Sequence, residues 1–280
     1  MRVAGVTLHL HTGVGARPIR LPRELRPFLV PRGRDIDVEV VETALPTADD
    51  PPSFASGGLW TVYEGGGRLL YVIREPLAGR APLSALLIDR ARRRGVLFLP
   101  PSSRTPTLHY PLDELIFQHH LARHGGVEVH ACGVAVAGRA LLFCGVSGAG
   151  KTTMARLWRR RRPPAEVLSD DRMVIRERGG RPWAFGTPWH GSGRYASPRG
   201  LPLGAVFFLA RGRRTTIEPM GAAAGAAELF ARSFPPPWER AAVERVLALC
   251  ARAAQAVPCA RLRVRPDGSA PAAVLAALSR

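Results

Sequence analysis

Lysine is all but missing from this sequence: 280 residues carry 40 basic side chains, and Lys151 is the one lysine among them. Long apolar runs are missing too. No window approaches the roughly 18 apolar residues needed to cross a bilayer, and the opening MRVAGVTLHLHTGVG has no apolar core of the signal-peptide kind. Partners in a membrane are therefore not expected, and a cytoplasmic protein is. Cysteine is scarce. Cys132, Cys144, Cys250 and Cys259 show no paired metal-ligand spacing, and three of them sit in apolar runs, which predicts small core residues in a reducing compartment. Acidic residues number 22, leaving a net charge of +18, a field that attracts polyanions. The arginines are scattered, however, and the short runs at 92–94, 159–162 and 211–214 lack the interleaved aromatic residues that single-strand binders stack on bases. They predict solvated faces rather than a nucleic-acid groove. There is no internal repeat.

What is present is the composition of a globular chain, 46% hydrophobic and 22% charged, with 26 prolines and 29 glycines implying many turns. Its length suits one large domain or two modest ones. Two Pro-rich breaks, LPTADDPP at 45–52 and PPSSRTP at 100–106, interrupt the pattern, and the second divides a domain over 1–105 from one over 106–280. Before it, short β-like runs (DVEVVET, LWTVY, RLLYVIRE, ALLID, GVLFLP) alternate with glycine turns, predicting a small, mainly antiparallel sheet. No catalytic cluster is legible in that half, and a substrate-presenting role is the expectation for it.

The second half is mixed α/β. PLDELIFQHHLARHGG places Leu112, Leu115, Ile116 and Leu121 at helical spacing behind Pro111 and two acids, with Gly125 and Gly126 as the stop. VEVHACGVAV and ALLFCG follow as two strands joined by AGR, then a helix from about Lys151 to Arg161 with Met154, Leu157 and Trp158 inward. Beyond lie strands in EVLSDDRMVIRER, LGAVFFLA and ARLRV, helices near 222–232 and 236–256, and a short terminal helix. His119, His120 and His124 show no metal pattern and are expected to pack or to face solvent.

GVSGAGKTT at 145–153 explains the solitary lysine. Gly145, Gly150, Lys151 and Thr152 fit GxxxxGK[ST], with a strand before it and a helix after. In such a loop, glycines turn successive N–H groups of Ser147, Gly148, Ala149, Gly150, Lys151, Thr152 and Thr153 toward phosphates. A compact ammonium reaches the β- and γ-oxygens where a planar guanidinium is too wide. ATP is thus the expected cofactor, with Mg²⁺ on Thr152. LSDD at 168–171 ends an apolar run about where a metal-binding carboxylate belongs. Of two adjacent acids, one can hold Mg²⁺ and the other accept a proton; the residues leave the order open, and the reading taken is Asp170 as base and Asp171 as metal partner. Downstream, Pro188, Trp189, His190 and Gly191 form a rigid, partly polar run that either lines an acceptor pocket or buries Trp189 in a structural turn.

HACGVAVAGRALLFCGVSGAGKTTMARLW followed by LSDD resembles the kinase domain of HPr kinase/phosphorylase, whose P-loop fold is shared with phosphoenolpyruvate carboxykinase. The likeness runs over about residues 116–215. It implies an α/β P-loop kinase domain behind a small β-rich N-terminal domain, a histidine at the active site matching His130, and a homo-oligomer. The signature associated with the phosphorylase reaction and the usual regulatory domain are not recognisable, so HPr is not the expected substrate. GTPWHG at 186–191 is similar to a run in HPr-kinase-like proteins that phosphorylate a serine of lasso-peptide precursors.

The leading expectation is therefore a Mg·ATP-dependent kinase acting on a hydroxyl, in particular a serine of a peptide or protein. An arginine-rich surface favours an acidic one. A small-molecule kinase uses the same machinery. A nucleotide-binding switch is the alternative from another class, and the second aspartate argues against it.

Overall fold

The structure, a computed structural model, describes residues 1–13, 18–75, 82–101, 104–161, 163–265 and 267–279. Residues 14 and 15 of the opening run, part of the 100–106 break and Arg162 lie outside them. The chain divides into two compact units, Met1–Arg123 with Pro236–Arg240, and His124–Pro235 with Ala241–Arg280. The division thus falls after the helix beginning at Leu112 rather than at the Pro-rich break near 105, and a short return segment joins the first unit. No helix among the described residues is long and apolar enough to cross a membrane.

The first unit is built on strands β1 (Arg2–Val3), β2 (Val6–Thr12), β3 (Ile36–Glu42), β4 (Phe54–Ala55), β5 (Trp60–Gly65), β6 (Arg68–Arg74), β7 (Pro82–Asp89) and β8 (Arg94–Leu99). They form one sheet in the order β1-β2-β3-β8-β7-β6-β5-β4. Pairing is antiparallel except at β2–β3 and β3–β8. The EGGGR segment makes the β5–β6 hairpin, as its glycines predict. β2 is a strand of the kind alternation predicts, with Val6, Leu8 and Leu10 between Thr7, His9 and His11, and it pairs with both β1 and β3. Alternation sorts the faces. Ile36, Val38 and Val40 of β3 are buried while Asp37 and Glu39 are not.

Helix α1 (Leu112–Arg123) is buried nearly all round, from Leu112 through Ala122. His119 and His120 are packing residues within it. Tyr71 Oη and His119 Nδ1 are hydrogen-bonded at 2.9 Å, and His120 Nδ1 bonds the carbonyl of Arg92 at 2.8 Å. Burial holds His119 well below the ordinary histidine value, so it stays neutral. Arg92, itself buried, donates to Glu239 at 2.6 Å, which fastens the return segment.

The second unit contains β9 (Gly126–Val136), β10 (Arg139–Cys144), α2 (Lys151–Arg160), β11 (Glu166–Ser169), β12 (Arg172–Arg178), β13 (Arg181–Gly186), β14 (Gly200–Arg211), β15 (Thr216–Met220), α3 (Ala222–Phe230), α4 (Arg240–Ala256, its first residue in the return segment), β16 (Cys259–Val264) and α5 (Ala270–Leu278). Two long strands organise the sheet by changing partners along their length. β9 pairs with β12 through its first half and with β10 and β11 through its second. β14 likewise pairs with β13 at its start and then lies parallel to β10 and β16. The parallel trio β10-β14-β16 therefore sits inside an otherwise antiparallel frame, and the segment after β10 emerges at a sheet end. α4 begins at Arg240 rather than near 236 because the prolines at 235–237 cannot supply the amide hydrogens of a helix interior.

The core beneath that end is apolar and aromatic. α2 lays Met154, Ala155 and Trp158 onto Cys132, Val134, Leu141, Phe143 and Phe207, with Trp158 and Phe143 ring centroids 6.0 Å apart. All four cysteines are free and buried, and burial raises the Cys144 thiol to about 12, so they serve as inert core residues. Because Trp158 pins α2 to the sheet, Trp158→Ala is expected to cost about 3–5 kcal/mol. Urea unfolding should show this as a lowered midpoint at an unchanged slope.

Candidate functional site

The turn after β10 is shaped by its glycines. Gly148 and Gly150 have φ of 75° and 102°, the left-handed region that side chains resist. A Cβ on Gly145 would come within 2.6 Å of the Ala149 Cβ. α2 then starts at Gly150 with no side-chain cap and no acid in its first turn. Its first N–H groups lack intrahelical acceptors and the dipole is uncompensated there. Ser147, Gly148 and Thr153 are exposed, and Ala149, Gly150 and Thr152 are half-buried. This surface fits an anion of phosphate type.

Lys151 is buried beneath the turn. Its Nζ donates to the carbonyls of Gly145 and Val146 at 3.1 and 3.2 Å and lies 3.7 Å from Asp171 Oδ1. Burial lowers its pKa, with Asp171 opposing and Arg172 adding to the shift.

The two aspartates have opposite surroundings. Asp170 is fully buried and accepts four hydrogen bonds: from Thr152 Oγ1 at 3.0 Å, Gly191 N at 3.0 Å, Gly193 N at 2.8 Å and Tyr195 N at 3.3 Å. Asp171 keeps 29% of its side chain exposed. Its Oδ1 lies 2.9 Å from His130 Nε2, and since a carboxylate only accepts, Nε2 carries the proton. Its Oδ2 accepts from Arg172 Nη1 at 2.6 Å. Burial pushes the Asp171 pKa up, but the His130 hydrogen bond with the charges of Arg172, His130 and Lys151 takes it below the ordinary value.

Backbone bonds hold the parts in place. The His130 amide donates to the Arg232 carbonyl at 2.8 Å, and its carbonyl accepts from Gly145 N at 3.1 Å. Thus β9 joins the glycine turn to the segment after α3. Arg172 is clamped between Glu128, at 3.3 Å, and the Phe234 ring, 4.6 Å from its guanidinium carbon. The last glycine of the GTPWHG run and the residues just after it act as a backbone clamp on Asp170. A Cβ on Gly191 or Gly193 would come within 2.9 or 2.7 Å of Asp170 Oδ2. Trp189 is buried, and His190 is half-buried with Nδ1 bonded to the Gly191 carbonyl at 3.0 Å.

The structure thus brings Lys151, Thr152, Asp170, Asp171 and His130 to one sheet end. Sequence reasoning missed Arg172, Glu128, Phe234 and the N–H groups of Gly191, Gly193 and Tyr195. It also missed Arg211, whose Nη2 reaches the Gly148 carbonyl at 3.5 Å. Only Arg172, directly after the aspartate pair, left a local signal. Cavities of about 490 and 580 Å³ lie elsewhere, one in each unit.

Fold and site together define a mixed α/β protein with two sheets, in which a glycine turn, one lysine and two adjacent aspartates share a sheet end. The chain belongs to the family described as ScmC, SynChlorMet cassette protein ScmC, whose model matches residues 112–265. No curated protein matches the chain. A solved structure, that of the Hpr(Ser) kinase/phosphatase from Coxiella burnetii, is similar over 55% of this chain and 93% of its own, at 11% identity and a TM-score of 0.31. A likeness of that strength carries no argument.

The acid behaviour of Asp171 follows from its partners. A carboxyl whose folded pKa is depressed contributes stability above its unfolded value, here 3.8, and loses it as pH falls through the folded value. Asp171→Asn should therefore be less stable than the parent at neutral pH, with the gap closing as pH drops below that value. Urea unfolding of both proteins at neutral and acid pH measures it.

Proposed function

We propose that this protein is a Mg·ATP-dependent phosphotransferase that moves the γ-phosphoryl group to a hydroxyl, with a serine of a peptide or protein as acceptor. The observation that carries the reading is the convergence of Lys151, Thr152, Asp170, Asp171 and His130 on the glycine turn. Mg·ATP, when bound, supplies the phosphoryl group and a Lewis acid beside it.

The contacts favour roles exchanged from the order expected at first. Asp170 is enclosed by four donors and touches the Thr152 hydroxyl, which suits a fixed carboxylate holding a metal ion with Thr152 and suits proton transfer with an outside group poorly. Asp171 is half-exposed and bonded to His130, so it suits acceptance of a hydroxyl proton. His130 orients that carboxylate through Nε2. Lys151, released from the Gly145 and Val146 carbonyls, neutralises phosphate oxygens, and the uncapped start of α2 adds backbone donors. Trp189 and His190 are the candidates for the acceptor side, beside the loop that grips Asp170. A ribosomally made precursor peptide fits the acceptor proposed, and the net charge of +18 favours an acidic one.

The test is transfer of γ-labelled phosphate from Mg·ATP to acidic, serine-containing peptides. Label is expected on serine, abolished by Lys151→Ala and reduced roughly 10²–10⁴-fold by Asp171→Asn. Asp171→Asn should spare nucleotide binding, whereas Lys151→Ala should weaken it. Nucleotide binding without transfer to any peptide refutes the peptide acceptor. Full transfer by Asp171→Asn refutes its role as base.

A further inference from the structure

We propose that His9, His11 and Asp37 form a binding site for a divalent transition-metal ion, zinc by preference, on the sheet of the first unit. The ligands come together by strand geometry. His9 and His11 are two residues apart on β2, so both project from the same face. β3 runs parallel beside β2 with His9 opposite Asp37 and His11 opposite Glu39. The burial of Ile36, Val38 and Val40 turns Asp37 and Glu39 to the other face, the one the histidines share.

The distances suit a small ion. Asp37 Oδ1 lies 2.7 Å from His9 Nδ1 and 3.6 Å from His11 Nε2, and the three ligand atoms lie within 4.8 Å of one another. A tetrahedral zinc ion with bonds of about 2.0–2.1 Å separates its ligand atoms by roughly 3.4 Å. The present arrangement brackets that spacing, and the His9–Asp37 hydrogen bond is the one contact that must open. Two imidazoles and one carboxylate select zinc, or a neighbouring ion such as nickel or copper, over the hard ions magnesium and calcium.

Three protein ligands leave a fourth position open. Glu39, exposed and in register with His11, stands next along the same face. His9 also lines the cavity of about 490 Å³, together with Leu10, Arg32 and Arg34. One cation competes for the carboxylate: Arg34 Nε is 3.5 Å from Asp37 Oδ1. Its side chain is 63% exposed and can turn to solvent when the ion arrives. Arg94 stands across from Asp37 on the β8 side and adds repulsion of the same sign. Neither arginine is a ligand, so they lower affinity without altering which atoms bind.

The test uses the untagged full chain, stripped of metal with a chelator and titrated with Zn²⁺ by calorimetry at neutral pH. Co²⁺ serves as a spectroscopic substitute. One equivalent of Zn²⁺ is expected, and the visible bands of bound Co²⁺ should differ from those of the aqueous ion. His9→Ala and His11→Gln should each weaken Zn²⁺ binding by roughly tenfold or more. Arg34→Ala should tighten it several-fold, because a like charge beside the ion has gone. Melting curves establish that each variant folds, and Asp37→Asn, of unchanged size, gives a further loss-of-ligand variant. Absence of Zn²⁺ binding by the parent chain overturns the proposal, as does unchanged affinity in folded His9→Ala and His11→Gln. Loss of the bound equivalent in His130→Ala with retention in His9→Ala would place the ion at the other cluster and overturn it equally. None of these readouts depends on phosphoryl transfer.

Discussion

A buried carboxylate must find hydrogen-bond donors for its oxygens, and that constraint, applied to Asp170, shapes the whole sheet end. An unpaired charge at this depth costs several kcal/mol. Four donors offset it: one hydroxyl from the first turn of α2 and three amides from the segment after β13. The segment can bend around the carboxylate because glycines occupy 191 and 193, where a Cβ would press on Asp170 Oδ2. Trp189 of the same segment is buried. The start of the helix, the end of β11 and the loop are thus held to one atom group, and the position of Thr152 beside the glycine turn follows.

The neighbouring Asp171 obeys a different rule. It is partly exposed, accepts hydrogen bonds from His130 and Arg172, and lies near the lysine. Two adjacent acids of the same residue type are driven apart in character by their surroundings alone. One is locked in a shell of backbone amides, and the other is ionised by nearby cations yet reachable from outside. Arg172 is itself held between Glu128 and the Phe234 ring, so the ionic cluster extends through β9, β12 and the segment after α3. The division of labour proposed above, between metal holding and proton transfer, rests on this asymmetry.

The first unit shows alternation acting in the same sense on a simpler scaffold. A parallel pairing of β2 and β3 lays two histidines and two carboxylates along one face while the opposite face is apolar. His-x-His was visible in the sequence, but its carboxylate neighbours were 26 or more residues away in the chain, and no local pattern linked them. The composition of this half suggested no cluster for that reason.

Several elements were legible because their information is local. The glycine turn, Lys151 and Thr152 lie within eight residues, and a strand-turn-helix needs no more than its own stretch of chain to announce itself. The α1 and α2 spacings, the EGGGR hairpin and the alternation of ARLRV are of the same kind. The GTPWHG run is conspicuous in the sequence, but the grip of Gly191, Gly193 and Tyr195 is not, because amides holding a carboxylate 21 to 25 residues earlier leave no trace in side-chain identity. Asp170 and Asp171 could not be told apart in the sequence for the same reason: residue type is identical, and burial separates them. The sequence by itself determined the glycine turn, its lysine and the mixed α/β pattern, since short-range sterics and periodicity suffice for these. Tertiary structure alone decided which carboxylate is enclosed, which one His130 meets and which distant amides surround the enclosed one, because burial and pairing are properties of segments brought together only when the chain folds.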